Sequence, residues 1–228
     1  FLLLVVIANI ILSLIAFFQN KKKRANIFFA LFTFFLGLWT FTMFGFRLSN
    51  NSSISIGWMK AAYISAIFIG VSFWYFARQF PVTKKDALFG YFFHFGTALV
   101  FSFTIAKTNF VVHDVYYRNW GKGVNLGTLG WSTYAIYFIF YFLSAHVLLF
   151  KKYMKAHGLQ KVQLLYVLLS VFIGGEIFGV LFNLIFPSPY FNNFHYIWLG
   201  PSLTALFIVP GIFYAIITCF FASVLIAI

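Results

Sequence analysis

Long apolar stretches alternate with short polar breaks along the chain, and that alternation sets its architecture. The apolar runs cover residues about 1–19, 26–47, 58–80, 87–106, 131–150, 164–186 and 199–219. A bilayer core takes about 20 residues of helix to cross, so each run suffices for one crossing. The runs lack the inside–outside alternation of barrel strands, and only helices or closed barrels satisfy their backbone groups inside lipid. The pattern predicts an all-α integral membrane bundle of seven transmembrane helices. Phe1 to Phe18 has no small-residue cleavage site before Lys21 and reads as a first membrane helix rather than a signal peptide.

The polar breaks orient the bundle. Lys21, Lys22, Lys23 and Arg24 fill the first; Arg78, Lys84 and Lys85 mark the third; Lys151, Lys152, Lys155 and Lys161 mark the fifth. Arg47, Lys60, Lys107, Arg118 and Lys122 are all that remain for the even-numbered breaks. Basic residues collect on the cytoplasmic side, so the N-terminus is expected outside and the C-terminus in the cytoplasm. The break from Lys107 to Gly130 reads as the longest of the outer loops. Its aromatics, with those of 187–198, read as an interfacial belt or, as the sharper alternative, a ligand-contacting cap.

Composition narrows the function classes. Of 228 residues, 63% are hydrophobic and 8% charged, against about 45–50% and about 25% in soluble domains. That excludes a soluble globular enzyme and a disordered tail. The net charge of +13 sits in loop clusters, so it points to a lipid bilayer rather than nucleic acid as partner. Cys219 is the only cysteine, which leaves no internal disulfide. The 36 phenylalanines are expected on lipid-facing surfaces.

Few residues carry candidate chemistry. Glu176 is the only acidic residue inside an expected span; at that depth a carboxylate costs roughly 3 kcal/mol and should face the bundle. Asn183, seven residues on, falls on the same face of an α-helix. Gly174, Gly175 and Gly179 let a neighbouring helix approach closely. His94 lies about 12 Å from the cytoplasmic side and Glu176 about 18 Å, depths that allow them to pair. These three are the ligand- or signal-sensing candidates. His146, one turn before Lys151, is expected to snorkel to the interface. Pro210 is internal to the seventh run and removes one backbone hydrogen bond, so a kink is expected, with Pro210 and Gly211 as hinge candidates. HExxH and GxSxG motifs are absent, the seventh run has no lysine, and His113, Asp114 and His195 are scattered. No catalytic residue, metal or cofactor is expected.

Several segments also carry a family resemblance. Asn26-Ile-Phe-Phe-Ala opens the second helix, and Ala61-Ala-Tyr63 and Phe76-Ala-Arg-Gln-Phe80 lie in the third. Gly158-Leu-Gln160-Lys-Val-Gln163 leads to Gly174-Gly175, and Leu199-Gly-Pro-Ser-Leu-Thr precedes Phe213-Tyr-Ala-Ile216. In this order the chain resembles the N-terminal seven-helix membrane region of bacterial sensor histidine kinases. The resemblance implies a multi-pass protein of the bacterial inner membrane, with a sensor domain over 1–219. A small-molecule or membrane stimulus would pass through the last helix to a downstream kinase that forms a homodimer. Residues 220–228, apolar where the family turns polar, read as the start of a linker or of a further span. The alternative reading is a small-molecule transporter or channel, with Glu176, Asn183 and His94 lining the path.

Overall fold

The computed structural model describes residues 1–81 and 88–226; Lys84 and Lys85 lie outside the described residues. Its helices are α1 (Leu2–Gln19), α2 (Arg24–Leu48), α3 (Ser52–Gln79), α4 (Leu88–Lys107), α5 (Thr128–Lys155), α6 (Gly158–Val171) and α7 (Leu199–Ile226). Helix α6 runs directly into a π-helical half over Phe172–Ile185. Among the described residues, five helical segments are long and apolar enough to cross a membrane: α1, α2, α3, α5 and the combined Gly158–Ile185.

Six of these elements pack side by side in a ring. Helix α1 lies on α2, α2 on α3, α3 on α5 and α5 on α6; α7 packs on α6 and its π-helical half and returns to α1. Helix α4 stands outside the ring, against α3. Phenylalanine serves both surfaces. Phe92, Phe103 and Phe140 are exposed on the bundle's flanks, whereas Phe29, Phe32, Phe73 and Phe76 are fully buried. Their rings meet across α2 and α3, Phe29 to Phe76 at 5.5 Å and Phe32 to Phe73 at 5.3 Å. The expectation of lipid-facing phenylalanines therefore covers only part of the set, because offset rings also fill an interior well.

Helix ends depart from the apolar runs where polar groups extend them. Helix α3 starts at Ser52 rather than 58, because Asn51 Oδ1 accepts from the Ile54 amide at 3.2 Å. Helix α5 continues through Lys155, and Lys152 Nζ donates to the Ala77, Arg78 and Phe80 carbonyls at 2.8, 2.7 and 2.6 Å. An ammonium there satisfies the open carbonyls at the end of α3 and complements its dipole.

The long outer loop of 107–130 contains a β-hairpin. Strand β1 (Val112–Arg118) pairs antiparallel with β2 (Gly121–Leu126), Val115 opposite Val124 and Arg118 opposite Gly121. Val112 and Val124 are buried and their neighbours His113 and Asn125 are exposed, the alternation of a strand with one covered face. The hairpin ties the loops at this end together. Tyr116 donates to Asn192 Oδ1 at 3.0 Å and Tyr117 to the Asn50 carbonyl at 3.3 Å. Lys122 Nζ donates to the Phe46 and Ser49 carbonyls, closing the end of α2 as Lys152 closes α3.

Candidate functional site

The sixth span changes helix type where its glycines begin. In the π-helical half the backbone bonds run from residue i to i+5, so residues four or five apart stack on one side. Gly175, Gly179, Asn183 and Leu184 thus line one face toward the ring's interior. Gly174 faces α7, where Thr204 Oγ1 donates to its carbonyl at 2.7 Å. A methyl on Gly174 would come within 2.9 Å of the Thr204 carbonyl, so only glycine permits this approach. Two further contacts continue the seam: Asn183 lies against Gly200, and Ser170 against Gly211, each filling the space a Cβ would need.

This geometry corrects the relation expected between Glu176 and Asn183. Seven residues return to one face of an α-helix but not of a π-helix, and the two side chains part. Glu176 turns to α5, where its Oε1 lies 2.6 Å from His146 Nδ1. His146 does not snorkel; its side chain is 11% exposed and Glu176's is 23%. The Phe142 carbonyl, 3.3 Å from the same Nδ1, can only accept. The proton is therefore assigned to Nδ1, which donates to both oxygens.

His94 lies elsewhere. Helix α4 stands outside the ring, so its depth match with Glu176 brings no contact. His94 Nδ1 instead meets the Tyr141 hydroxyl at 2.8 Å. Around it, Trp74 lies 4.6 Å from the imidazole, Arg78 stacks on Trp74 at 4.8 Å, and Tyr75 stacks on Tyr91 at 4.6 Å. The structure thus divides the three sensing candidates among three environments: an ion-pair position, an aromatic cluster and the ring interior.

Inside the ring runs a narrow void. It is bounded by Leu36, Trp39 and Met43 of α2, Met59, Tyr63 and Ala66 of α3, and Tyr134, Phe138 and Phe142 of α5. The π-helical face and α7, through Thr204 and Ile208, complete it. About 610 Å³ is free of protein atoms, its open mouth included, but a water-sized sphere can centre itself in only about 40 Å³. Asn183 borders the void, and neither Oδ1 nor Nδ2, both buried, has a hydrogen-bond partner among the described residues. Helix α7 stays helical past Pro210, which is exposed on its outer side.

At the hairpin end two groups are shifted from their ordinary values. Burial pulls the Lys122 ammonium below the usual lysine range, and the Arg47 charge adds to the effect. Burial pushes the Tyr116 phenol up, with Arg118 opposing. No three His, Cys, Asp or Glu side chains among the described residues lie close enough to hold a metal.

Tyr141 and His146 were the partners that sequence reasoning missed. The spacing of Tyr134, Phe138, Phe142 and His146 at four-residue steps marks one face of α5 and is the signal that was available. For Tyr141 the corresponding signal is Tyr137, one turn before it. A family model described as the N-terminal 7TM region of histidine kinase matches residues 1–218. No curated protein matches the chain.

Proposed function

The chain belongs to the family of N-terminal 7TM regions of histidine kinases, and on that premise we propose that it carries a stimulus through α7 to a cytoplasmic kinase. As a sensor region it is a membrane input module and not itself catalytic. The observation that carries the reading is the family match over residues 1–218. The proposed route is the seam between the sixth span and α7. A stimulus that binds two packings of this seam unequally shifts their populations, and equal binding would shift nothing. Supporting the seam as the moving part are its contacts through small groups, Gly174 with Thr204 and Gly211 with Ser170.

Glu176, Asn183 and His94 are the proposed sensing residues, and Pro210–Gly211 the proposed hinge. We place the N-terminus outside and the C-terminus in the cytoplasm of a bacterial inner membrane, a reading supported by the lysine-rich ends of α5 and the first loop. The sensor unit is taken as residues 1–219, with 220–228 leading toward the kinase and a homodimer formed downstream.

The test uses the full-length protein in membrane vesicles with labelled ATP. Acid-labile, base-stable phosphohistidine whose level changes in Pro210→Ala, with insertion unchanged, is the expected result. Absence of phosphohistidine overturns the kinase reading. An unchanged level in Pro210→Ala removes the hinge.

A further inference from the structure

The void inside the ring has the shape and lining of a site for one kind of molecule. It is long: at 1.5 Å per residue, the α2 stretch from Phe32 to Met43, which lines it, extends about 16 Å. It is thin, since a water-sized sphere centres itself in only about 40 Å³ of it. Fused rings do not fit such a slot without large repacking, whereas a linear hydrocarbon chain needs only small displacements. Met43 and Met59, flexible and polarisable, flank it and supply that adjustment.

Among the polar side chains of this mostly apolar lining, which include Trp39, Tyr63, Tyr134 and Thr204, Asn183 stands apart. Asn183 borders the slot with a buried carbonyl oxygen and a buried amide nitrogen, both unbonded among the described residues. Gly200 makes room for the group, because a side chain there would overlap the carboxamide. The Thr204 hydroxyl has already given its proton to the Gly174 carbonyl and so cannot donate to Asn183. A buried amide left unpaired is costly, and its complement must both donate and accept. A hydroxyl or an amide does so; a ketone only accepts, and a hydrocarbon does neither.

We propose that the slot binds a linear alkyl chain bearing a hydroxyl or amide head, the head bonded to Asn183 and the chain lying between Trp39, Tyr63 and Phe138. Resting on the sensor reading above, the proposal makes that molecule the stimulus. The chain abuts Gly175 and Gly179 of the π-helical face, so its arrival bears directly on the seam with α7.

The probe is dodecanol carrying a diazirine in its chain, photolysed with the full-length protein in phosphatidylcholine nanodiscs. Saturable labelling of the α2 and α3 peptides that line the slot is expected, competed by dodecanol and at least about tenfold less by dodecane. Asn183→Ala should weaken labelling by about tenfold, the equivalent of one net hydrogen bond. Ala66→Leu, which narrows the slot without touching Asn183, should abolish it and serves if Asn183→Ala does not accumulate. Labelling that is unsaturable, equally competed by dodecane, or unchanged in both variants overturns the proposal. Mass spectrometry of extracts from the untreated protein distinguishes the source. A bound alkyl alcohol or amide lost in Asn183→Ala identifies a membrane lipid; none, with labelling intact, identifies a molecule arriving from outside. Phosphohistidine is measured in parallel. Labelling without phosphohistidine overturns the sensor reading alone, and phosphohistidine with failed labelling overturns the ligand assignment alone.

Discussion

Thr204 Oγ1 of α7 donates a hydrogen bond to the Gly174 carbonyl at 2.7 Å, joining the last helix to the π-helical half of the sixth span. The bond forms because Gly174 has no side chain to hold the two backbones apart. Thr204→Val keeps the shape and removes the donor. Interhelical bonds of this kind average about 0.6 kcal/mol and reach about 1.7. A loss in that range is expected by reversible unfolding in mixed detergent.

Ser170 and Gly211 fit together on the same seam. A methyl at Gly211 would overlap Ser170 Oγ and meet its Cβ, an overpacking that costs about 1–3 kcal/mol. Gly211→Ala should therefore destabilise, and Ser170→Gly in the same chain should recover most of the loss. A double-mutant cycle measures this coupling; strictly additive losses would contradict it.

His146 and Glu176 are expected to behave as a pair. His146→Leu strands the partly buried carboxyl and should cost about 1–3 kcal/mol. Glu176→Gln retains an acceptor for the Nδ1 proton and should cost less. Replacing both by leucine should recover stability relative to His146→Leu, because no polar group is then left unpaired. The same unfolding assay ranks the three.

Lys122 gives a pH signature at the hairpin end. Its folded-state value lies below the ordinary 10.5, so between those two values the unfolded chain binds more protons than the folded one. Stability contributed at this site therefore rises with pH across that window. Lys122→Met should flatten the rise, seen as a difference between wild type and variant in how the unfolding midpoint changes as pH rises toward 10.5. An identical slope in both would remove Lys122 as its source.

The apolar runs of 1–19 and 26–47 reappear as α1 and α2 with ends shifted by a few residues, because bilayer thickness fixes helix length and hydropathy reports it directly. Where caps extend a helix, as Asn51 does for α3, the boundary moves outside the apolar run. The hairpin at 112–126 was hidden by its weak signal, two short strands whose covered faces show only once the bundle lies beneath them. The candidate site was legible in its residue types and hidden in its pairings. Glu176, Asn183 and His94 stood out as polar groups at membrane depth, but their partners depend on which helices are neighbours.

The sequence by itself determined the number and approximate positions of the helices and the scarcity of polar groups among them, since these follow from local hydropathy. Only the tertiary structure decided that α4 stands outside the ring, which sends His94 to Tyr141. It also decided that the second half of the sixth span winds as a π-helix, which turns Glu176 to His146 and Asn183 to the interior. Both outcomes arise from contacts between segments distant in the chain. No periodicity within one apolar run encodes which neighbour it will meet, or how closely glycines will let that neighbour approach.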